Sequence, residues 1–268
     1  MDAQMVEHAL VTAAFVGGLQ WLMKRGGPRL GGWVAAVPVT SAPALFWLSL
    51  ERGGGWAAEA ATAALVSTGL TAVFALVYGR GCARRCPAAC TALALLACVT
   101  LGAVVQPQLA GGLVASSLFA FATMVWARRG LPCVDAAQQR RAAADPQRDR
   151  RNCCMVMVVA GTLTLLTGLV GGAAGPTICG LLAAVPIVGI CTIVSTHRRD
   201  GAARTGALLK AYVQGSLAKA FFLVGLAAGL TALPVAWAWP TALLVMGMAL
   251  AGQQLAPRLW ASRRATPL

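Results

Sequence analysis

Lys219 lies in Ser216-Leu217-Ala218-Lys219-Ala220-Phe221, near the middle of an apolar run over 203–230. An ammonium at the centre of a bilayer costs at least ~2.5 kcal/mol on insertion scales, so it marks a solute path or a fixed partner. From mid-depth its stem cannot reach water, whereas that of Lys210, nearer one end, can. Two readings stand: a cation lining a substrate path, or the structural partner of a carbonyl or carboxylate. Glu59 is the one acid clearly inside an apolar run, about one turn from its edge. It could pair with Lys219 and couple charge or protons to movement. It could equally be an interfacial carboxylate facing headgroups.

Two prolines supply a second kind of chemistry. Gly31-Gly32-Trp33-Val34-Ala35-Ala36-Val37-Pro38-Val39-Thr40 returns as Cys179-Gly180-Leu181-Leu182-Ala183-Ala184-Val185-Pro186-Ile187-Val188. Each proline removes a backbone hydrogen bond and frees a carbonyl. Open backbone is tolerated at membrane depth only beneath protein or beside a water-filled cavity. Thr40, Ser41 and Pro43 follow the first break, and Gly189 and Thr192 the second, so small polar groups gather there. Matched breaks in two copies point to a duplicated transporter with its site between them. A plain kink in a packed helix is the alternative, with the glycines serving close helix packing. Aligning the copies sets Thr71 opposite Lys219, which makes the expected site asymmetric.

Cys82, Cys86 and Cys90 recur at i, i+4 and i+8, a spacing that could hold a soft metal. Pro87 interrupts the run and no further ligand has matching spacing, so no metal is expected. His8 and His197 sit at the edges of apolar runs, and no phosphate loop, nucleophile elbow or acid-rich metal motif is present. Neither an enzyme nor a cofactor is expected.

The elements that must position these residues follow from composition. Hydrophobic residues make up 58% of the 268 and charged ones 11%, against about 25% charged in soluble domains. The mean hydropathy is +0.72. These values predict an all-α integral membrane protein. Apolar runs near 6–23, 31–50, 56–78, 88–105, 109–127, 153–172, 178–196, 203–230 and 233–252 predict nine transmembrane helices. The acidic start lacks a basic n-region, so no cleaved signal is expected.

Alternating the runs puts 24–29, 80–85, 128–151, 198–204 and 258–264 on one face, with 19 of the 22 Lys and Arg. Such a bias assigns that face to the cytoplasm, with the N-terminus outside and the C-terminus inside. Trp21, Trp33, Trp126 and Trp260 fall at the inner boundary and Trp47, Trp56, Trp237 and Trp239 near the outer one, as an aromatic belt requires. The charges punctuate spans, so the formal +14 does not indicate nucleic acid. The nine cysteines lie in spans or beside basic loops and read as reduced or buried thiols.

An odd number of spans inverts the second copy. The expected plan is a 4 + 1 + 4 inverted-topology repeat: 1–107, a linking helix over 108–127, a basic connector over 128–152, the second repeat over 153–254 and a basic tail over 255–268.

Pro38 to Gly53, Pro-Val-Thr-Ser-Ala-Pro-Ala-Leu-Phe-Trp-Leu-Ser-Leu-Glu-Arg-Gly, resembles the small, roughly four-span GlpM-like membrane proteins. There too a proline early in the second span is followed by Glu-Arg-Gly. The second copy keeps Pro186 but carries His197-Arg198-Arg199-Asp200 in place of Glu-Arg-Gly. The resemblance implies a four-span unit fused in tandem, with an association to exopolysaccharide production in some members. The ten-span drug/metabolite transporters have a similar plan. Small multidrug pumps place a glutamate deep in their first span, whereas Glu7 here is at the edge.

The expected function is inner-membrane secondary transport of a small anionic or zwitterionic solute by alternating access around a midplane site. Lys219, Pro38, Thr40, Ser41, Pro186, Gly189 and Thr71 would bind it, and Glu59 would couple. Partners would be the solute and membrane lipids, with a homodimer left open and no nucleic acid. A flippase for lipid- or polyprenyl-linked precursors is one competitor, and a non-transporting subunit of an envelope assembly is the other.

Overall fold

The computed structural model describes residues 7–15, 17–18, 38, 41–109, 112–131, 157–158, 161–162, 165–166, 169, 175–182 and 187–264. Among these residues every regular element is a helix. We label α1 Ser41–Glu51, α2 Gly54–Gly81, α3 Pro87–Leu109, α4 Leu113–Gly130, α5 Ile187–Ala232 and α6 Val235–Arg264. Helical stretches also occur at 7–15 and 175–182. Four segments are long and apolar enough to cross a membrane: α2, α3, Asp200–Ala232 within α5, and Val235–Gln253 within α6. The sequence-predicted runs over 56–78, 88–105, 203–230 and 233–252 fall on these four, whereas that over 109–127 falls mainly on α4, which is not among them. Of the run over 31–50 only 38 and 41–50 are described, and that over 153–172 lies largely outside the described residues.

Local chemistry explains the helix ends. Pro87 opens α3, where its missing N–H costs nothing. Arg80 in the last turn of α2, and Arg128 and Arg129 in that of α4, oppose the negative ends of their helix dipoles.

Two glycines make the sharpest turns. Gly53, between α1 and α2, has φ 86° and ψ 168°, and Gly201, which breaks α5 into two helices, has φ 77° and ψ −176°. Only glycine adopts that conformation readily. Gly53 stands fifteen residues after Pro38 and Gly201 fifteen after Pro186. The glycine of Glu51-Arg52-Gly53 thus has a counterpart in Arg199-Asp200-Gly201 at the same distance from the other proline. Sequence comparison missed this because His197 to Asp200 masked the shared end point.

α2 is the hub. It is apolar around its whole circumference and 89% of its spanning window is buried, against 11% for α3, which has the higher hydropathy. Small residues decide the difference, because they let backbones approach where hydrophobicity alone cannot drive association. A Cβ on Gly54 would lie 3.0 Å from the Leu230 carbonyl oxygen, and one on Gly79 3.3 Å from Leu209. The 202–232 half of α5 therefore runs antiparallel to α2. A Cβ on Gly69 would meet Phe119 at 2.8 Å, which seats α4 on the next face. Cys98 Sγ donates to the Leu70 carbonyl at 3.2 Å from α3. On the remaining side, a Cβ on Gly180 would overlap the Ala60 carbonyl. The stretches 7–18 and 157–161 also meet antiparallel, with Gly17 against Met157 and Gly161 against Ala9.

The two ends of this bundle differ in charge. At one end Arg80 lies against Gly130, beside Arg128 and Arg129, and the Cys82 thiol faces the Ala202 carbonyl at 3.8 Å. The described parts of the basic stretches 80–85, 128–130 and 198–204 thus converge. At the other end lie His8, Glu51, Trp47 and Trp239.

The matched turns make a direct prediction. Gly53→Ala and Gly201→Ala each cost about 1–3 kcal/mol, because a Cβ strains that backbone even where space is open. Gly247→Ala, with nothing within 4 Å of its Cβ and no positive φ, is neutral or gains up to ~1 kcal/mol. Thermal unfolding of the three purified variants in one detergent checks this.

Candidate functional site

Lys219 points into the bundle. On its helix Ala218 and Ala220 are fully buried on either side of it, and Ser216, Phe222, Leu223 and Leu226, which share its face, are buried too. The exposed positions Gln214 and Ala228 lie on the opposite face. Lys219 itself is only half-buried. Among the described residues it has no hydrogen bond and no ion pair.

Ser41 is the second polar group of this kind. It opens α1 three residues after Pro38, whose carbonyl accepts from the Ala42 N–H at 2.8 Å. The Ser41 side chain is completely buried and its Oγ has no hydrogen-bond partner among the described residues. An orphaned buried hydroxyl costs about 1–3 kcal/mol. Ser41 also falls at the depth of Lys219. Trp239 Nε1 donates to Ser49 Oγ at 3.3 Å, and Gly229 backs onto Ala238. From that shared level Ser41 is eight residues down α1 and Lys219 about ten down α5, roughly 12 and 15 Å at 1.5 Å per residue.

The other expected site residues divide. Thr71 is buried and donates to the Ser67 carbonyl of its own helix at 2.9 Å, which uses up its proton. Gly189 packs on Tyr212, whose hydroxyl would lie 2.8 Å from an added Cβ, so this glycine makes room for the ring. Pro38 is buried at the start of the break. Thr40 and Pro186 lie outside the described residues.

Glu59 and Lys219 do not meet. Gly54 is level with Leu230, so Glu59 lies about 7 Å below that level and Lys219 about 16 Å below it, some 9 Å apart in depth. Glu59 is exposed and has no ion pair among the described residues.

Two polar ties at the bundle ends were invisible in the sequence. At the uncharged-rich end His8 Nδ1 lies 2.9 Å from Glu51 Oε1, and its ring stacks on Trp47 at 3.8 Å between centroids. Trp47 Nε1 in turn donates to Thr12 Oγ1 at 3.3 Å. Glu51 of the Glu-Arg-Gly motif therefore ties α1 to the 7–15 helix. At the basic end the Tyr78 hydroxyl and His197 Nδ1 are 3.0 Å apart, linking α2 to the first half of α5. His8 and His197 were both read only as edge residues. The available signal was an aromatic or acidic residue at the same end of another run, but sequence does not say which runs touch.

The cysteines separate by environment. Cys82 ends α2 in a buried position, Cys86 is exposed in the turn, and Cys90 is buried within α3. Burial pushes the Cys82 thiol above the ordinary thiol range. Among the described residues no three His, Cys, Asp or Glu side chains gather to hold a metal ion.

Family models, curated proteins and solved structures were compared with this chain, and none matches it.

Two outcomes follow from the geometry. Tyr78→Phe removes one buried hydrogen bond and lowers stability by about 1 kcal/mol, read as a shift of the thermal midpoint. A maleimide labels Cys86 in the folded protein well before Cys82, whose thiolate is suppressed and covered. Mass spectrometry of timed digests follows both sites.

Proposed function

We propose that this chain is a secondary transporter that carries a small anionic or zwitterionic solute across an inner membrane by alternating access. The observation that carries the reading is that Lys219 and Ser41, at similar depth in the bundle, both lack a hydrogen-bond or ion-pair partner among the described residues. Ser41 follows three residues after Pro38. A buried cation and a buried hydroxyl are what a carboxylate or phosphate group needs: one opposite charge and one hydrogen-bond donor. Leaving both unsatisfied in the absence of solute costs stability, and that is the signature of a site held for a ligand.

The wider plan of nine spans in a 4 + 1 + 4 inverted repeat draws support from three features. The glycine turns recur at the same distance from both prolines with nearly the same dihedrals. Two of the four expected pairs of mates run antiparallel where they touch: Gly17 lies against Met157 and Ala9 against Gly161, and α2 packs on the second half of α5. Helices related by a two-fold axis in the membrane plane, and touching across it, must do so. The described basic stretches lie at one end, as a cytoplasmic face requires.

Alternating access then rocks one repeat against the other. The Ser49–Trp239 and Tyr78–His197 hydrogen bonds join the two expected repeats at opposite ends of the bundle, where contacts must open in turn as the site faces each side. The resemblance to GlpM-like proteins adds a four-span ancestor to this reading but no substrate.

Thermal stabilisation across small carboxylates, amino acids, inorganic phosphate and a polyprenyl phosphate tests the proposal. At one hundred times its Kd a bound solute adds about 2.7 kcal/mol. We expect one small anion class to stabilise wild type, with the response lost in Lys219→Met and weakened in Ser41→Ala. Without solute, Lys219→Met is neutral or more stable by about 1 kcal/mol or more, because an uncompensated charge has gone. Stabilisation by the polyprenyl phosphate alone would favour a flippase. No response to any compound, with both variants behaving as wild type, would overturn the site.

A further inference from the structure

The basic corner between α2 and α4 has a construction that the solute site does not use. Arg80, at the end of α2, holds its guanidinium 6.0 Å from the centre of the Trp126 ring, at cation–π range. The same guanidinium lies against the backbone of Gly130, where an added Cβ would be 3.0 Å away. Its position is therefore set by two contacts on the neighbouring helix. Arg128 and Arg129 follow Trp126 directly, and all three arginines are exposed. None forms an ion pair with a described residue. Arg80 and Arg129, the latter one turn on from Trp126 along α4, thus share a side of the corner without an ion-pair partner among the described residues, a set of donors matched to a phosphate.

An apolar track leads to this corner along α4. Val114, Leu118, Ala122, Val125 and Trp126 are exposed and recur at helical spacing down one face. Trp126 is 53% exposed and Leu118 67%. From Val114 to Trp126 the track is about 18 Å long, slightly more than one leaflet of a hydrocarbon core about 30 Å thick. The track ends in an indole and then in charge. That order of alkyl surface, interfacial aromatic and phosphate-binding cation is the order of groups along a phospholipid of the cytoplasmic leaflet.

We propose that this corner is a binding site for one anionic phospholipid. Arg80 and Arg129 hold its phosphate, Trp126 packs at the glycerol level, and an acyl chain lies along Val114, Leu118 and Val125. A zwitterionic lipid fits the track but brings its own cation to the arginines, so the site discriminates by headgroup charge. Because Arg80 belongs to α2 and Arg129 to α4, a bound lipid clamps the two helices together. The proposal rests on the bilayer-crossing reading and not on transport.

The experiment uses the purified full-length chain in a neutral detergent. Phosphatidylglycerol, phosphatidylcholine of the same acyl chains, and inorganic phosphate are added in turn, and thermal midpoints are read beside native mass spectra. We expect phosphatidylglycerol to raise the midpoint by several degrees and to survive as one retained lipid, with little effect of the other two. Arg80→Gln with Arg129→Gln abolishes both signals. Arg84→Gln with Arg85→Gln removes the same charge from the adjacent turn and leaves them intact. Trp126→Leu, which keeps every charge, weakens retention and stands in should the first pair fold poorly. Equal loss in both double variants would mean diffuse attraction and overturn the site. A phosphate effect matching that of the lipid, or equal retention of the two lipids, would overturn it as well.

Discussion

Everything in this fold depends on the close approach of other backbones to α2. A helix covered on all sides in a membrane gains nothing from hydrophobicity, because lipid is as apolar as its neighbours. What remains is dispersion and carbonyl contact, and both need small side chains at the interface. Gly54, Ala60, Gly69 and Gly79 each present bare or nearly bare backbone to a different neighbour or a different level of one. Exchanging any of them for a large residue would separate helices that carry the candidate site. α3 makes the contrast plain. It is more apolar than α2 yet leaves Leu93, Leu96, Val99 and Val104 exposed, as a helix at the edge of a bundle does.

Polar groups in this interior fall into two kinds. Thr62, Thr68, Thr71, Thr123 and Ser216 donate to carbonyls of their own helices, so their burial is compensated locally and asks nothing of the fold. Ser41 and Lys219 have no such outlet. Ser41 is the first residue of α1, and its hydroxyl has no acceptor among the described residues. A lysine has no acceptor of its own and must find one elsewhere. Among the described residues Gln106 Oε1 and Gln253 Nε2 are likewise buried without a partner, near the ends of α3 and α6, whereas Ser41 lies deeper in the bundle.

The ties at the two ends are of a different character from the interior. Helix packing along α2 is made of small residues and backbone contacts, whereas the ends use rings and ionisable groups: His8 on Trp47 with Glu51, and Tyr78 with His197. Polar links at the ends, where water can replace them, are cheaper to exchange than packed interior contacts.

Sequence alone located the four long apolar helices, because hydropathy over some twenty residues is a local sum that tertiary contacts do not alter. It also brought out Lys219, since one cation inside an apolar run is visible without any fold, and it located the proline-centred repeat. It determined the sharp turn at Gly53 only as a motif, and it overlooked Gly201 because the residues before it had changed. Tertiary structure decided which apolar helix is central and which is peripheral, for α2 and α3 are alike in composition class and differ in where small residues meet a neighbour. It decided that Thr71 is compensated and Ser41 is not, because a hydrogen-bond partner is a matter of position along a particular helix. It set Glu59 and Lys219 at different depths, since the register between antiparallel helices comes from packing and leaves no mark on either segment by itself.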